Sequence, residues 1–238
     1  MEWFVKIRGE RSDLEDLCKS VNSRELCIIQ EGQDFILKST DFNSLIDADE
    51  VSSKANEIIM LMNGAARLVK EMKKSLAVDC VVKVLDDGNR NFFIQPTEAA
   101  SVRCSVNAPD VAIDGVVQQV HQKGPISSWI TVARHDVSVA MVLRLYGSSE
   151  HDWVGLYRIY EVIENDIGGV IKIVKNGWAT NESIKLFKRT ANSPGAIGDK
   201  SRHGLGATEP PKHPMKLSEA KSLVETIIHK WIRLKGKN

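Results

Sequence analysis

Arg202 and His203 stand side by side in a glycine- and proline-rich stretch. Together they hold the two kinds of group that metal-free phosphodiester chemistry needs. An imidazole titrates near neutrality and can move a proton. A guanidinium can hold a phosphate or a developing negative charge. Cleavage of RNA with the 2′-hydroxyl as nucleophile asks for little more. Lys188, Arg189, Lys200, Lys212 and His213 could surround the pair with positive potential. A plainer reading stands beside this one: a Gly/Pro-rich loop needs polar residues, and Arg202 caps carbonyls or pairs with Asp199. Trp178, in the turn Asn-Gly-Trp-Ala-Thr, either plugs the end of a helical bundle or stands exposed as a contact residue.

Other patterns fail on spacing. Ser193-Pro-Gly-Ala-Ile-Gly-Asp-Lys-Ser201 has the residues of a phosphate loop, but its glycines are three apart and an Asp precedes the Lys. It also follows a predicted helix, so its amides would not form a P-loop. No GxSxG, HExxH or strand-linked GxGxxG occurs. The six histidines never fall at i,i+4 with a carboxylate, so neither a metal nor a cofactor is expected. Trp153, Tyr157 and Tyr160 could stack on bases, yet their helical spacing favours core packing. His229 fits a helix boundary, and Asp86 and Asp87 fit a turn. The four cysteines form no CxxC pair, which points to reduced, packed thiols and a cytoplasmic setting.

Charge singles out the same stretch. Residues 185–238 carry twelve Lys/Arg against four Asp/Glu, net +8, and the preceding 184 residues are net −7. An anionic partner, either RNA or an acidic protein, would fit the basic end. Internal complementarity is the other account, with Asp47, Asp49 and Glu50 drawing the basic end onto the acidic body. No apolar run approaches the roughly 18–20 residues that span a bilayer, so no membrane partner is expected. The start, Met-Glu-Trp-Phe-Val-Lys-Ile-Arg-Gly-Glu, lacks an apolar core and does not look like a secretory signal.

The elements that must position these residues predict an α+β chain. Its N-terminal part is a mainly antiparallel sheet with a long packed helix, and its C-terminal part a small helical bundle. A boundary at Gly124-Pro125 gives domains 1–123 and 124–238. Trp3 to Ile7 is a strand, and Ser12-x-x-Glu15 a capping box for a helix through Lys19. Leu26 to Ile29 with Phe35 to Leu37, and Val78 to Leu85 with Asn91 to Gln95, are hairpins. Val51, Ala55, Ile58, Met62, Ala65, Val69, Met72 and Leu76 put one stripe on a helix of about 28 residues, best laid across a curved sheet. Val102 to Val106 suggests a further strand, and Val111 to Val120 one more strand or a crossover. Beyond the boundary, Ser127 or Ser128 caps a helix ending at Gly147, and Asp152 caps a second ending at Gly168-Gly169. Val170 to Asn176 is open between helix and strand. Thr180 or Asn181 caps a third helix and Ser218 the last, which Gly236 stops.

The helix Trp153-Val-Gly-Leu-Tyr-Arg-Ile-Tyr-Glu-Val-Ile163, the Arg202-His203-Gly204 element and the closing helix after Leu217-Ser-Glu-Ala220 resemble the HEPN group of small helical domains. The resemblance spans at most residues 126–238. It implies a ribonuclease or an RNA-binding remnant, often a homodimer and often part of bacterial defence or toxin systems. The group's signature is an Arg, four to six residues, then a His. Arg202 and His203 are adjacent instead, and Arg144 to His151 alone meets the spacing, across a predicted helix end. Two function classes follow. One is a non-enzymatic two-domain binding protein whose basic helical end contacts nucleic acid or an acidic protein. The other is a metal-independent ribonuclease using Arg202 and His203, with Arg144 and His151 in reserve.

Overall fold

The structure, a computed structural model, describes residues 2–70, 72, 74–94, 124–148, 151–205 and 209–236. It forms two compact units: Met1–Ala55 with Ala77–Gly124, and Asn56–Leu76 with Pro125–Asn238. The chain passes from the first unit to the second at Ala55–Asn56, back at Leu76–Ala77, and again at Gly124–Pro125. The first unit is discontinuous, however, because 56–76 goes with the helices.

The sheet unit is antiparallel, in strand order β2-β3-β1-β4-β5, with β1 over Glu2–Arg8, β2 Leu26–Glu31, β3 Asp34–Ser39, β4 Ala77–Val84 and β5 Arg90–Phe93. Both hairpins form as the sequence predicts. Gly88 holds φ +83 in the β4–β5 turn, a backbone state that glycine adopts without a Cβ clash. Register explains the core. Val5 lies opposite both Leu37 and Val81, and all three are buried. On the other face Phe4, Ile36, Cys80 and Val82 cluster with Ile29 and Val84. Central strands covered on both faces carry apolar residues without strict alternation. The helix α1, Arg11–Ser20, begins at Glu10 with no side-chain cap, so Ser12 is not the predicted cap; Glu15 pairs instead with Arg11 at 2.9 Å. Burial pushes the Cys18 thiol up to about 11 and Cys27 upward as well, so both stay protonated at neutral pH. The expected strand over 102–106, the strand or crossover over 111–120, and Cys104 lie outside the described residues.

The long helix is α2, Ala48–Lys70; its residues through Ala55 go with the sheet unit, and from Asn56 onward it belongs to the helical unit. The stripe left uncounted a second apolar face, in which Ile59, Leu61, Ala66 and Leu68 are also buried. Glu57 and Met60 stay exposed, so the buried face is wide but does not close around the helix. It stops at Lys70, and the chain returns to Leu76, where the Asn63 side chain donates to the Leu76 carbonyl at 3.1 Å and accepts from its amide at 2.8 Å.

The helix expected from Ser127 to Tyr146 is two: α3, Pro125–His135, and α4, Val137–Ser148. Asp136 makes the break. Its Oδ1 accepts from the amides of Ser138 and Val139 at 3.0 and 3.1 Å, an N-cap inside an apolar run. Gly147 is not a stop but a crossing point. A Cβ there would lie 2.8 Å from the Gly64 amide nitrogen, and one on Gly64 would lie 2.0 Å from the Leu143 carbonyl oxygen. The two helices thus touch backbone to backbone.

Helix α5, Trp153–Ile167, has its predicted cap, with Asp152 accepting from the Gly155 amide at 2.7 Å, and Gly168 ends it at φ +86. The ambiguous segment is helix α6, Val170–Lys175, and Thr180 caps α7, Asn181–Ala191. The Gly/Pro tract holds one short helix, α8, Pro194–Ile197, and a 3-10 turn, Gly198–Lys200. Helix α9, Leu217–Lys235, starts one residue after Lys216, whose amide donates to Glu219 at 2.8 Å; Ser218 sits in the first turn instead of capping it. Ala220, Val224, Ile227, Ile228, Trp231 and Ile232 are buried as its stripe requires. Lys235 ties the unit together, 2.8 Å from Asp136 and 2.7 Å from Asp166, which also accepts from Trp231 Nε1. Among the described residues the unit holds more helices than the expected bundle of four.

Candidate functional site

The tract is held to the helices at both ends. Thr190, wholly buried on α7, accepts from the Met215 amide through Oγ1 at 3.1 Å. Arg189 Nε donates to the Glu209 carbonyl at 3.0 Å, and Pro210 packs over Gly195, where a Cβ would meet its Cγ at 3.3 Å. Residues 209–215 therefore form a strap across α7 and α8. Earlier in the tract the Arg202 amide donates to the Ala191 carbonyl at 2.9 Å.

These anchors sort the predicted residues into two sets. Arg202 is committed to the fold: its guanidinium lies 4.5 Å from the Tyr157 ring centre and 3.0 Å from Glu161, both on α5. Its partner is thus Glu161 and not Asp199. Lys188 repeats the arrangement, bonding both Glu164 carboxylate oxygens at 2.8 Å beside the Tyr160 ring. Two cations and two aromatic rings bind α7 and the tract to α5. Trp178, between α6 and α7, is buried, which corrects its assignment as a binding residue. Trp153, Tyr157 and Tyr160 are buried around Phe187.

The second set faces solvent. Lys200, His203, Lys212 and His213 are exposed, as is Lys185, which the sequence did not single out, and among the described residues no carboxylate lies within ion-pair reach of the three lysines. Arg189 is exposed too, 3.9 Å from Glu209. His203 offers its ring to water, and its carbonyl accepts from Ser201 Oγ at 2.6 Å. The structure therefore gives the adjacent residues different surroundings: Arg202, itself exposed, is paired on α5, and the His203 ring is exposed with no such partner among the described residues.

The reserve pair divides differently. His151 is half-buried after the C-terminus of α4, its ring stacked on Tyr146 at 3.9 Å and its Nε2 2.9 Å from the Tyr146 carbonyl. A carbonyl can only accept, so Nε2 carries the proton and Nδ1 the lone pair. The buried Tyr146 hydroxyl donates to Glu225 on α9, and Lys221 lies 3.7 Å from the same carboxylate. Burial, then the charges of Lys221 and Arg67, hold His151 below the ordinary histidine value, against the pull of the Tyr146 carbonyl and Glu225. Arg144, half-buried on α4, is not among the groups that act on it. Sequence reasoning missed Tyr146, Glu225, Lys221 and Arg67.

Among the described residues no cluster of three His, Cys, Asp or Glu could hold a metal ion. A hollow of about 280 Å³ in the sheet unit is lined by Glu2, Trp3, Asn43, Leu45, Ile46 and Lys83; Lys83 is spent on the Trp3 ring at 4.7 Å.

By fold, then, the chain is an α+β protein with an antiparallel sheet unit and a helical unit, and no described helix is long and apolar enough to cross a membrane. No family model, curated protein or solved structure matches it.

Proposed function

We propose that this chain is a binding protein whose helical unit grips the phosphate backbone of nucleic acid through the exposed side of α7 and the strap. One observation carries the reading: charge divides along the units. The helical unit holds 21 Lys/Arg against 13 Asp/Glu, and the sheet unit 11 against 18. Part of the positive excess is consumed internally by Glu161, Glu164, Asp136 and Asp166. What is left over includes Lys185, Lys200 and Lys212, with His213 also exposed. With Trp178, Tyr157 and Tyr160 buried, these residues offer no stacking platform, so recognition would run through phosphates and not through bases.

Binding of single-stranded RNA and of duplex DNA at several salt concentrations tests this. Each lysine-phosphate contact releases a counterion, so about four contacts on a single strand give a log–log salt slope of about −3. Reversing Lys185, Lys200 and Lys212 to Glu together should abolish binding and leave the fold intact, since none of them braces it. No binding at low salt would overturn the reading in favour of an acidic protein partner. RNA turnover lost on His203→Ala would overturn it in favour of the ribonuclease reading, which requires Arg202 to leave Glu161.

A further inference from the structure

Two cations fasten α7 and the tract to α5, and the two attachments are not built alike. Lys188 bonds both oxygens of Glu164 at 2.8 Å, and the side chains of that pair are 30% and 21% exposed. Arg202 approaches Glu161 through one nitrogen, Nη2 to Oε1 at 3.0 Å, with the side chains 32% and 41% exposed. An arginine and a carboxylate locked together make two parallel bonds. The contact to Glu161 is the looser attachment, and other groups hold the guanidinium in place. Its carbon lies 4.5 Å from the centre of the Tyr157 ring. That ring is fixed in turn: its hydroxyl accepts from Asn192 Nδ2 at 3.2 Å, and it stacks on Phe187 with ring centres 5.7 Å apart. The Arg202 amide is tied to the Ala191 carbonyl at 2.9 Å. Without Glu161 the cation would therefore stay where it is, at the surface, with exposed Lys200 two residues before it and exposed His203 beside it.

We infer that Glu161 is an autoinhibitory carboxylate: it occupies, in place of a backbone phosphate, an arginine already positioned for one. The inference rests on the backbone-gripping reading above and adds regulation to that same surface. Carboxylate and phosphate are taken by the guanidinium fork in the same geometry, so they compete for the same donors. The carboxylate belongs to the same chain and is always at hand, which gives it the advantage of a high effective concentration. Arg202 is thus withheld from the ligand while Glu161 is present. Loss of that one charge adds a phosphate contact without moving the backbone, because the Tyr157 ring and the Ala191 carbonyl hold the arginine independently of it.

The test compares the parent with Glu161→Gln, Arg202→Gln and the double variant, each binding a short single-stranded oligouridylate at several salt concentrations. Glu161→Gln should bind about threefold to fivefold tighter, which is what removal of an exposed ion pair releases. Its log–log salt slope should be steeper by about 0.7, the mark of one more phosphate contact on a single strand. Arg202→Gln should change neither quantity in the parent, and in the double variant the gain from Glu161→Gln should vanish. Asp199→Asn removes the same charge from an exposed position beside Lys200, and any gain it brings should survive Arg202→Gln. A second measurement needs no Arg202 variant and decides the matter alone if Arg202→Gln does not fold. The Nε–H resonance of Arg202 should shift when the oligouridylate is added to Glu161→Gln and stay in place in the parent. No gain in Glu161→Gln, or a gain that survives Arg202→Gln, overturns the proposal. If Lys185, Lys200 and Lys212 reversed to Glu still abolish binding in that event, the backbone-gripping reading stands without it. No binding by any variant at low salt removes both.

Discussion

The loop around His203 and the corner around His151 contain the same chemistry-bearing residue under opposite constraints. His203 follows an arginine directly in sequence, yet the two side chains part: one stacks on Tyr157, and the other meets water. His151 has no cation beside it in sequence, yet its ring is stacked on Tyr146 of α4, whose hydroxyl donates to Glu225 of α9. Adjacent residues on an irregular backbone need not share a side, whereas a ring clamped at one face and one nitrogen has a defined remaining nitrogen. A site is therefore better sought where a side chain has been immobilised with one group left unspent.

The contrast can be broken at its support. Gly64→Leu should be the most damaging change, because its side chain would displace the Leu143 carbonyl at the α2–α4 crossing. A loss of about 3 kcal/mol or more in urea unfolding, or failure to fold, is expected. Gly204→Ala, where a Cβ meets nothing, should stay within about 0.5 kcal/mol. If the two variants are equally stable, the crossing does not constrain the corner.

Next in size is Arg202→Ala, which removes a half-exposed ion pair and a cation–aromatic contact worth about 1–2 kcal/mol together. Arg202→Lys should recover the charge pairing but little of the stacking. An unchanged midpoint for Arg202→Ala would mean that the tract does not depend on α5 and that the arginine is free for a ligand after all. Tyr146→Phe deletes the bond to Glu225 and keeps the ring under His151, at a cost of about 1 kcal/mol.

The smallest effect is a pH dependence. His151 and His229 are both held below the histidine value, chiefly by burial. Between the lower folded value and about 6.5 for the unfolded chain, the unfolded state binds more protons. Stability therefore rises with pH through that window and is lost progressively on acidification. His151→Gln should flatten part of the slope, and a slope unchanged from the parent would show that the ring is not desolvated as the structure places it. Asp136 acts lower on the scale. Burial pushes its carboxyl up, but Lys235 and the Val139 amide outweigh that and hold it below the usual aspartate value, so its contribution disappears as pH falls through the carboxylate range.

What was legible in the sequence was local. Asp152, Thr180 and Gly168 announce helix ends because caps act within four residues of themselves. Asp136 was hidden because Ser127 and Ser128 offered a more conventional start and the run past it stays apolar. Gly147 looks like a stop, since a glycine at the end of a periodic segment usually is one; its partner Gly64 lies far upstream, and nothing near either residue reveals the other. The Arg202–Glu161 and Tyr146–Glu225 pairs are distant in the same way. The basic excess was visible from composition, but its division into braced and unbraced cations depended on which carboxylates the helices bring near.

Asn63 is followed by Gly64, the dipeptide whose side-chain amide is most readily lost through a cyclic imide with the next backbone nitrogen. In the folded chain that reaction has no geometry available. The amide group is held at both ends by Leu76, and the Gly64 nitrogen lies within helix α2, pressed against Gly147. Once converted to aspartate, the side chain would turn a carboxylate toward the Leu76 carbonyl and could not close the same pair of bonds. Residue 63 thus keeps a chemical record: each excursion that opens this part of the molecule exposes it to an ageing reaction that refolding does not reverse.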